Sequence, residues 1–406
     1  MPDKVYIIGV GSEGDGGLGE DARRIIAGAE IVCGGSRLLA MFPGIAAEKV
    51  AIGAKPEQIV ALIGREMTRR RIVVLASGDP GFFSIAHLLT ERLGRDNFRI
   101  VPRLSSAQLA FAATCMSWDD AAFISLHGRP IDSLRPVLTT SNKVAVLTDR
   151  LNNPRVIAEF LLNIGLNDWQ AFVCQDMGTG RESCVEYSLA DLVLQKDFAD
   201  LNILILKAAD NYRRPFGLPE KEFIHRGMVS GLITKQEVRA VVLSKMNIAP
   251  ADTIWDIGSA SGSVAIEASR LARQGLVYAV EKSAGAGTII RQNISRFQSW
   301  NVIAVAGEAP ECLAELPPPD GVFIGGSGGR IADIISIVAQ RLAPGGRLVM
   351  SIVTMENLAK AGDAMKLAGL PMETVLLNIA RSARVGRLTR LSPLSPVYII
   401  TGVKNE

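Results

Sequence analysis

The amino-acid sequence predicts an α/β protein built from two successive α/β halves. Short apolar runs of strand length alternate with stretches of helical spacing from Val5 onward, the pattern of repeated βα units. The alternation is broken once, near Asn211–Glu220, by an aperiodic stretch containing Arg213-Arg214-Pro215 and Gly217-Leu218-Pro219. With 406 residues, each half is long enough to bury its own core. The expected division is 1–210 for the first domain, 211–222 for a linker and 223–406 for a Rossmann-like second domain.

In the first half, Val5–Val10, Ile72–Leu75, Ala122–Ser125, Val144–Leu147 and Ala171–Cys174 are continuous apolar runs and read as buried strands. Ala22–Ala29, Glu57–Thr68, Phe83–Leu93, Ala107–Thr114 and Arg155–Asn163 carry helical periodicity between them. This alternation predicts mostly parallel sheets, closed by a final strand at Ile203–Leu206. In the second half, Lys235–Asn247 reads as an opening helix, with Thr234 at the N-cap and Glu237 at the capping-box position. Strands follow at Thr253–Ile257, Leu276–Val280, Val302–Val305, Gly321–Ile324 and Arg347–Ile352. A last one, Val397–Thr401, comes after an irregular stretch in which Arg381, Arg384, Arg387 and Arg390 recur every third residue. Gly386 interrupts that stretch, so it reads as a loop rather than a helix.

Bulk properties narrow the function classes. A net charge of +3 is too slight to argue for nucleic acid or a membrane surface, and no Asn-Pro-Pro-Tyr motif accompanies it. No apolar run reaches the roughly 18 residues of a membrane span, and the N-terminus enters a strand without room for a signal peptide. Five cysteines, an odd count without a Cys-x-x-Cys pair, argue against a disulfide frame or structural zinc and fit a reducing cytoplasm. His87, His127 and His225 show no metal-ligand spacing, so no metal is expected.

The most informative segment is Thr253–Ser263, reading Asp-x-Gly-x-Ala-x-Gly from Asp256 to Gly262. A strand runs into small residues that let backbone approach a ligand, then into a helix whose first N–H groups are unpaired. A second strand ends at Glu281, where a carboxylate can accept from two vicinal ribose hydroxyls. The loop is not Gly-x-Gly-x-x-Gly and no Gly-Lys-Ser/Thr follows, which favours the adenosine of S-adenosylmethionine over a pyrophosphate. Gly307-Glu308 ends the third strand, where an adenine edge is reached. Gly325-Gly326-Ser327-Gly328-Gly329 ends the fourth, and so many glycines suit a backbone lying over a substrate.

The first half has its own motifs. Ser77-Gly78-Asp79-Pro80-Gly81-Phe82-Phe83-Ser84 follows a strand, Leu104-Ser105-Ser106-Ala107 joins a strand to a helix, and Trp118-Asp119-Asp120-Ala121 precedes Ser125-Leu126-His127-Gly128-Arg129. Together they resemble the tetrapyrrole methylase family, in particular its precorrin-methylating branch, over essentially all of the first 205 residues. The resemblance implies a two-lobed fold in which Gly78, Asp79, Phe83, Ser105 and Ser106 contact S-adenosylmethionine. Arg103 stands where that family usually has glycine.

From Gly217 onward the chain resembles the decarboxylating precorrin methyltransferases, a class I fold. The resemblance rests on Thr234-Lys235-Gln236-Glu237-Val238-Arg239, the Trp-Asp-Ile-Gly loop, Phe-Ile-Gly-Gly-Ser-Gly-Gly and Pro344-Gly345-Gly346-Arg347-Leu348. It implies a second cofactor site at Thr234, Gly258, Gly262, Glu281 and Gly307, to which the loop reading adds Ser259 and Glu308. Substrate contacts are expected at Gly325, Gly326 and Ser327, and at Arg384 and Arg387, whose guanidinium forks suit the carboxylates of a tetrapyrrole. Ala260-Ser261 replaces the Gly-Thr more usual there, and Val229–Ile233 departs from the usual lead-in to the threonine.

The order of the halves is similar to that of fused enzymes that methylate a precorrin at carbons 5 and 15 and decarboxylate it. That resemblance implies two S-adenosylmethionine sites, an anionic tetrapyrrole substrate and a homo-oligomer, while the cysteine usage leads us to expect a cytoplasmic location. No catalytic base is assigned. A nicotinamide-dependent oxidoreductase is disfavoured by the loop spacing and by the lack of a hydride-relay His or Tyr-x-x-x-Lys. A tetrapyrrole carrier with inactive domains is the remaining alternative, separable by a product assay.

Overall fold

The computed structural model describes residues 5–53, 55–209, 214–225, 233–283 and 285–405. The start of the expected linker, 211–213, and most of the lead-in to Thr234, 229–232, lie outside them. The chain forms two compact units. The first comprises 1–131, 143–163 and 167–209; the second comprises 132–142, 164–166 and 210–406.

The first unit opens with a five-stranded sheet: β1 (Val5–Val10), β2 (Ile31–Gly34), β3 (Glu48–Ala51), β4 (Ile72–Ser77) and β5 (Phe98–Val101). Its order is β3-β2-β4-β1-β5 and every pairing is parallel. Successive side chains point to opposite faces, and both faces are covered, which is why these strands are continuously apolar. Val5 and Ile7 pack with Ile59, Ile63 and Leu89 on one side. Ile8 and Val10 pack with Ala22, Ile26 and Leu39 on the other.

A second sheet contains β6 (Ala122–Ser125), β7 (Lys143–Leu147), β8 (Trp169–Gln175), β9 (Ser183–Ser188) and β10 (Asn202–Ala208), in the order β6-β7-β10-β8-β9. Here the expectation of mostly parallel sheets fails. Only β6–β7 is parallel; β7–β10, β10–β8 and β8–β9 are antiparallel. Strand periodicity carries no direction, and β9, half-exposed with the pattern of an edge, offers no apolar run to read. The antiparallel register sets Cys174 opposite Cys184, and the two are joined by a disulfide. The cysteine count argues against a disulfide frame, and it conceals this one cross-strand pair, with Cys33, Cys115 and Cys312 left free.

The second unit holds a seven-stranded sheet of β11 (Ile254–Ile257), β12 (Val277–Glu281), β13 (Val302–Ala306), β14 (Gly321–Ile324), β15 (Arg347–Ile352), β16 (Met372–Leu377) and β19 (Val397–Val403). The order is β13-β12-β11-β14-β15-β19-β16, parallel except where β19 pairs with β15 and β16. Strand order reverses between β11 and β14, the place where such sheets open a crevice at their carboxyl edge.

Two local expectations are corrected in this unit. The arginine-rich stretch is not a loop but a hairpin of β17 (Ala380–Val385) and β18 (Leu388–Pro393), with Gly386 at φ +62° in the turn. Arg381 explains part of that order: its guanidinium is held by Glu220 at 2.8 Å and by Glu237. Burial alone would raise the Glu220 carboxyl, but Arg381 and the Gln236 amide hold it down at about 2. Glu237 does not form a capping box, because the helix starts one residue late and leaves it at the second helical position. The helix Gln236–Met246 is capped by Lys235, one residue later than expected, without a side-chain cap.

Arg239 of that helix is fully buried with Glu267, 3.3 Å away on the helix Ser263–Leu271. The Arg239 guanidinium donates to the carbonyls of Leu218 and, at 2.5 Å, of Thr234, while Glu267 accepts the Leu218 amide at 2.6 Å. Removing one member strands a buried charge. Glu267→Ala is therefore expected to cost about 3–5 kcal/mol of second-unit stability, and Glu267→Gln less. Denaturant unfolding followed through Trp255 and Trp300, both buried, measures it; an unchanged transition would show that the pair is dispensable.

Candidate functional site

Each unit has a cavity at the carboxyl edge of its parallel strands. In the second unit it measures about 730 Å³ and is lined successively by residues past β11, β12, β13, β14 and β15. Thr234, Gly258, Ser259, Glu281, Gly307, Glu308, Gly325, Gly326 and Ser327 all line it. Gly262 does not; it starts the helix Ser263–Leu271 at φ +79°, and a side chain there would contact Ile290. Arg384 and Arg387 do not line it either. They sit on the hairpin, whose outgoing segment reaches the cavity through Pro393, Leu394, Ser395 and Val397.

The loop after β11 is shaped by close approach. A methyl group on Gly258, at φ +72°, would lie 2.4 Å from the Gly326 carbonyl, so the glycine strands of the two loops touch. Ala260 takes φ +52°, which explains why glycine is usual at its position. Glu281 accepts the Ala260 amide through Oε2 and the Ser283 amide through Oε1, each at 3.0 Å. Its carboxylate is thus fixed before any ligand arrives, with remaining lone pairs open to the cavity.

Asp256, at the base of the loop, was not among the expected site residues. It is 1% exposed, and burial pushes its carboxyl up to about 6 against the pull of the Ser259 hydroxyl at 2.6 Å and the Ala265 amide at 3.0 Å. Its Oδ1 has no hydrogen-bond partner, and the residue lines the cavity. The acidic first position of the Asp-x-Gly motif was the available signal. Lys282 and Glu308 form a half-exposed ion pair, 3.0 Å long, on the same wall.

In the first unit the cavity measures about 700 Å³, and Gly78, Asp79, Phe83, Ser105 and Ser106 all line it. Asp79 Oδ1 accepts the Gly81 amide at 2.6 Å, closing the Gly-Asp-Pro-Gly turn. Phe83 precedes rather than begins its helix, which runs Ile85–Leu93 behind the Ser84 cap, and it takes φ +46°. Ser105 is 5% exposed and its hydroxyl is engaged in a full capping box with Gln108, so it faces the cavity mainly through backbone. Arg103 has no positive φ; its guanidinium reaches the Gly17 carbonyl at 2.5 Å, so the side chain is accommodated without strain. Sequence reading missed Arg37, Asp149 and Asn202 on this wall, which come from segments without a motif.

His127 also lines the cavity, and its backbone amide is bonded to Ser125. Among the described residues no group of three or more His, Cys, Asp or Glu side chains could hold a metal, and no helix is long and apolar enough to cross a membrane.

Comparison with known proteins places both halves. The family of Tetrapyrrole (Corrin/Porphyrin) Methylases matches residues 4–193, and the Precorrin methyltransferase domain matches residues 227–404. The precorrin-6Y C(5,15)-methyltransferase [decarboxylating] of Sinorhizobium sp is 34% identical over 400 residues, 96% of this chain and 94% of its own. A probable cobalt-precorrin-6B C(15)-methyltransferase (decarboxylating) of Pyrobaculum calidifontis is 38% identical over 46% of this chain and 94% of its own. A crystal structure of precorrin-6y C5,15-methyltransferase from Geobacter metallireducens is 41% identical, covering 47% of this chain and 98% of its own with a TM-score of 0.45. With a relative this similar along nearly its whole length, the chain belongs to the family of decarboxylating precorrin-6Y C(5,15)-methyltransferases.

Proposed function

We propose that the chain catalyses two S-adenosylmethionine-dependent methylations of precorrin-6B, at carbons 5 and 15, with decarboxylation of the ring C acetate to give precorrin-8 in cobalamin biosynthesis. The observation that carries this reading is a pair of cavities of nearly equal size. Each lies over a small-residue loop at the carboxyl edge of parallel strands, in a chain aligned from end to end with a bifunctional relative. We assign carbon 5 to the first unit and carbon 15 with decarboxylation to the second. The assignment is supported by a relative that spans only 46% of this chain and is named for carbon 15 and decarboxylation.

The residues of the second cavity fit the cofactor. Gly258 lets the loop after β11 lie directly against the Gly326 backbone, Glu281 presents a preset carboxylate for ribose hydroxyls, and Asp256 Oδ1 lacks a partner. Thr234, Gly307 and Glu308 complete the holding set, with Ser259 supporting Asp256. In the first unit Gly78, Asp79, Ser105 and Ser106 serve the same purpose. When bound, S-adenosylmethionine supplies an activated electrophilic methyl group. The chain contributes alignment and exclusion of water, since the meso carbons of a reduced macrocycle are already nucleophilic. Gly325, Gly326 and Ser327 offer backbone over which the macrocycle lies, and the macrocycle itself takes up the electron pair released by decarboxylation.

Mass spectrometry of products from precorrin-6B tests the reading, with two methyl gains and one carbon dioxide loss expected. An unchanged substrate mass would support the carrier alternative instead.

Glu281→Ala should weaken S-adenosylmethionine binding at the second site by roughly 10- to 150-fold, the worth of about 1.5–3 kcal/mol for a charge-assisted hydrogen bond. Glu281→Gln separates ribose binding from loop support, because an amide oxygen still accepts one loop N–H. Calorimetry showing full affinity in Glu281→Ala excludes the role. Asp79→Ala opens the first-unit turn and should abolish methylation at carbon 5 while carbon 15 methylation and decarboxylation continue. Carbon NMR with methyl-labelled cofactor resolves the two positions, and equal loss of both would mean that the units pass substrate on in an obligatory order or that the first site is wrongly placed.

A further inference from the structure

The first-unit cavity has an unusual rim. Four large apolar side chains that line it stand in solvent: Phe83 at 48% exposure, Leu104 at 57%, Leu151 at 82% and Leu201 at 41%. They come from four separate segments, so their convergence on one opening is a property of the fold. Phe83 is also held at φ +46°, a conformation costly for a bulky residue and retained where surrounding structure imposes it. An apolar rim around a cofactor-sized hole marks a surface built to be covered.

Of the two arginines on this wall, Arg37 and Arg150, one is uncommitted. Arg37 lines the cavity and is exposed; its Nη2 donates to Ser77 Oγ at 3.4 Å, beside the Gly78-Asp79 turn. Among the described residues it forms no ion pair. Arg150, by contrast, is engaged with Asp200 at 3.0 Å. A guanidinium fork with free donors at the edge of an apolar opening matches one kind of ligand: a flat apolar ring bearing carboxylates on its periphery.

We propose that Phe83, Leu104, Leu151 and Leu201 form the docking face for the tetrapyrrole in the first unit, and that Arg37 sets its orientation by binding one peripheral carboxylate. The inference rests on the reading of this unit as the carbon 5 site. Rotating a near-symmetric macrocycle about its normal presents a different meso carbon to the same point. Apolar contact alone does not distinguish these rotations; a fixed cation at one point of the edge does. Arg37 is therefore a specificity-determining residue, and the rim supplies non-directional attraction.

The test uses the full chain with precorrin-6B and methyl-labelled cofactor, resolved by carbon position. Arg37→Gln should raise the KM for carbon 5 methylation about tenfold or more, leave carbon 15 kinetics unchanged and hold S-adenosylhomocysteine affinity within about twofold. Arg37→Lys, which keeps charge but not the fork, should fall between. Leu151→Glu, at a side chain already in water, should raise the same KM without altering the unfolding transition. An unchanged KM in Arg37→Gln overturns the anchor, and an unchanged KM in Leu151→Glu overturns the rim. A fall in S-adenosylhomocysteine affinity matching the loss of rate reassigns Arg37 to the cofactor and overturns its role toward substrate. The unsubstituted chain is the separate control: if it leaves carbon 5 unmethylated, the functional reading fails and the inference with it.

Discussion

The buried pair of Arg239 and Glu267 is the interaction on which the second unit most depends. It ties the segment at Leu218 to the helix Ser263–Leu271, which begins directly after the β11 loop, and it grips the Thr234 carbonyl at the cavity wall. Desolvating two charges is expensive, and the gain from their attraction survives only if neighbouring groups share the load. Leu218 does so from both its amide and its carbonyl. The pair thus sets where the cavity wall meets the loop, a matter of geometry more than of net stability.

Much of this arrangement was legible in the amino-acid sequence because it is local. Asp256-Ile257-Gly258, Glu281 at a strand end and the Gly325–Gly329 cluster all follow apolar runs of strand length. A parallel sheet places the ends of such runs along one edge. The same holds for Gly78-Asp79 and Ser105-Ser106, with their strand-loop-helix setting. What escaped reading is long-range. Arg381 is ordered by Glu220, 161 residues away, and by Glu237, 144 away, so an apparently irregular stretch became a hairpin. The antiparallel direction of β8, β9 and β10 is decided by pairing partners, not by side-chain pattern. The Cys174–Cys184 bridge is a consequence of that pairing and was equally hidden. Arg37 belongs to no motif, and only the position of its helix beside β4 brings it to the cavity.

The two cavities solve a related problem with different materials. The second is walled largely by backbone: Gly258 brings main chain against main chain at Gly326, and preset acceptors such as Glu281 do the fixing. The first relies on side chains, with phenylalanine and leucine at the opening. A backbone wall tolerates no side chain where backbones touch, as at Gly258, whose Cβ would lie 2.4 Å from the Gly326 carbonyl. A side-chain wall can be retuned residue by residue. Two chemistries joined in one chain therefore differ in how freely their surroundings can change.

Ala260 carries a broader consequence. Its left-handed backbone costs an L-residue on the order of 1–2 kcal/mol, and the Glu281 carboxylate holds it there by taking its N–H. A glycine motif is usually written as letters, yet what the loop requires at this position is a dihedral angle. A search pattern that demands glycine passes over this chain at residue 260, whereas one written in backbone angles and carboxylate placement does not. Alanine here records a loop whose shape is imposed by its neighbours strongly enough that the residue best suited to it has become optional.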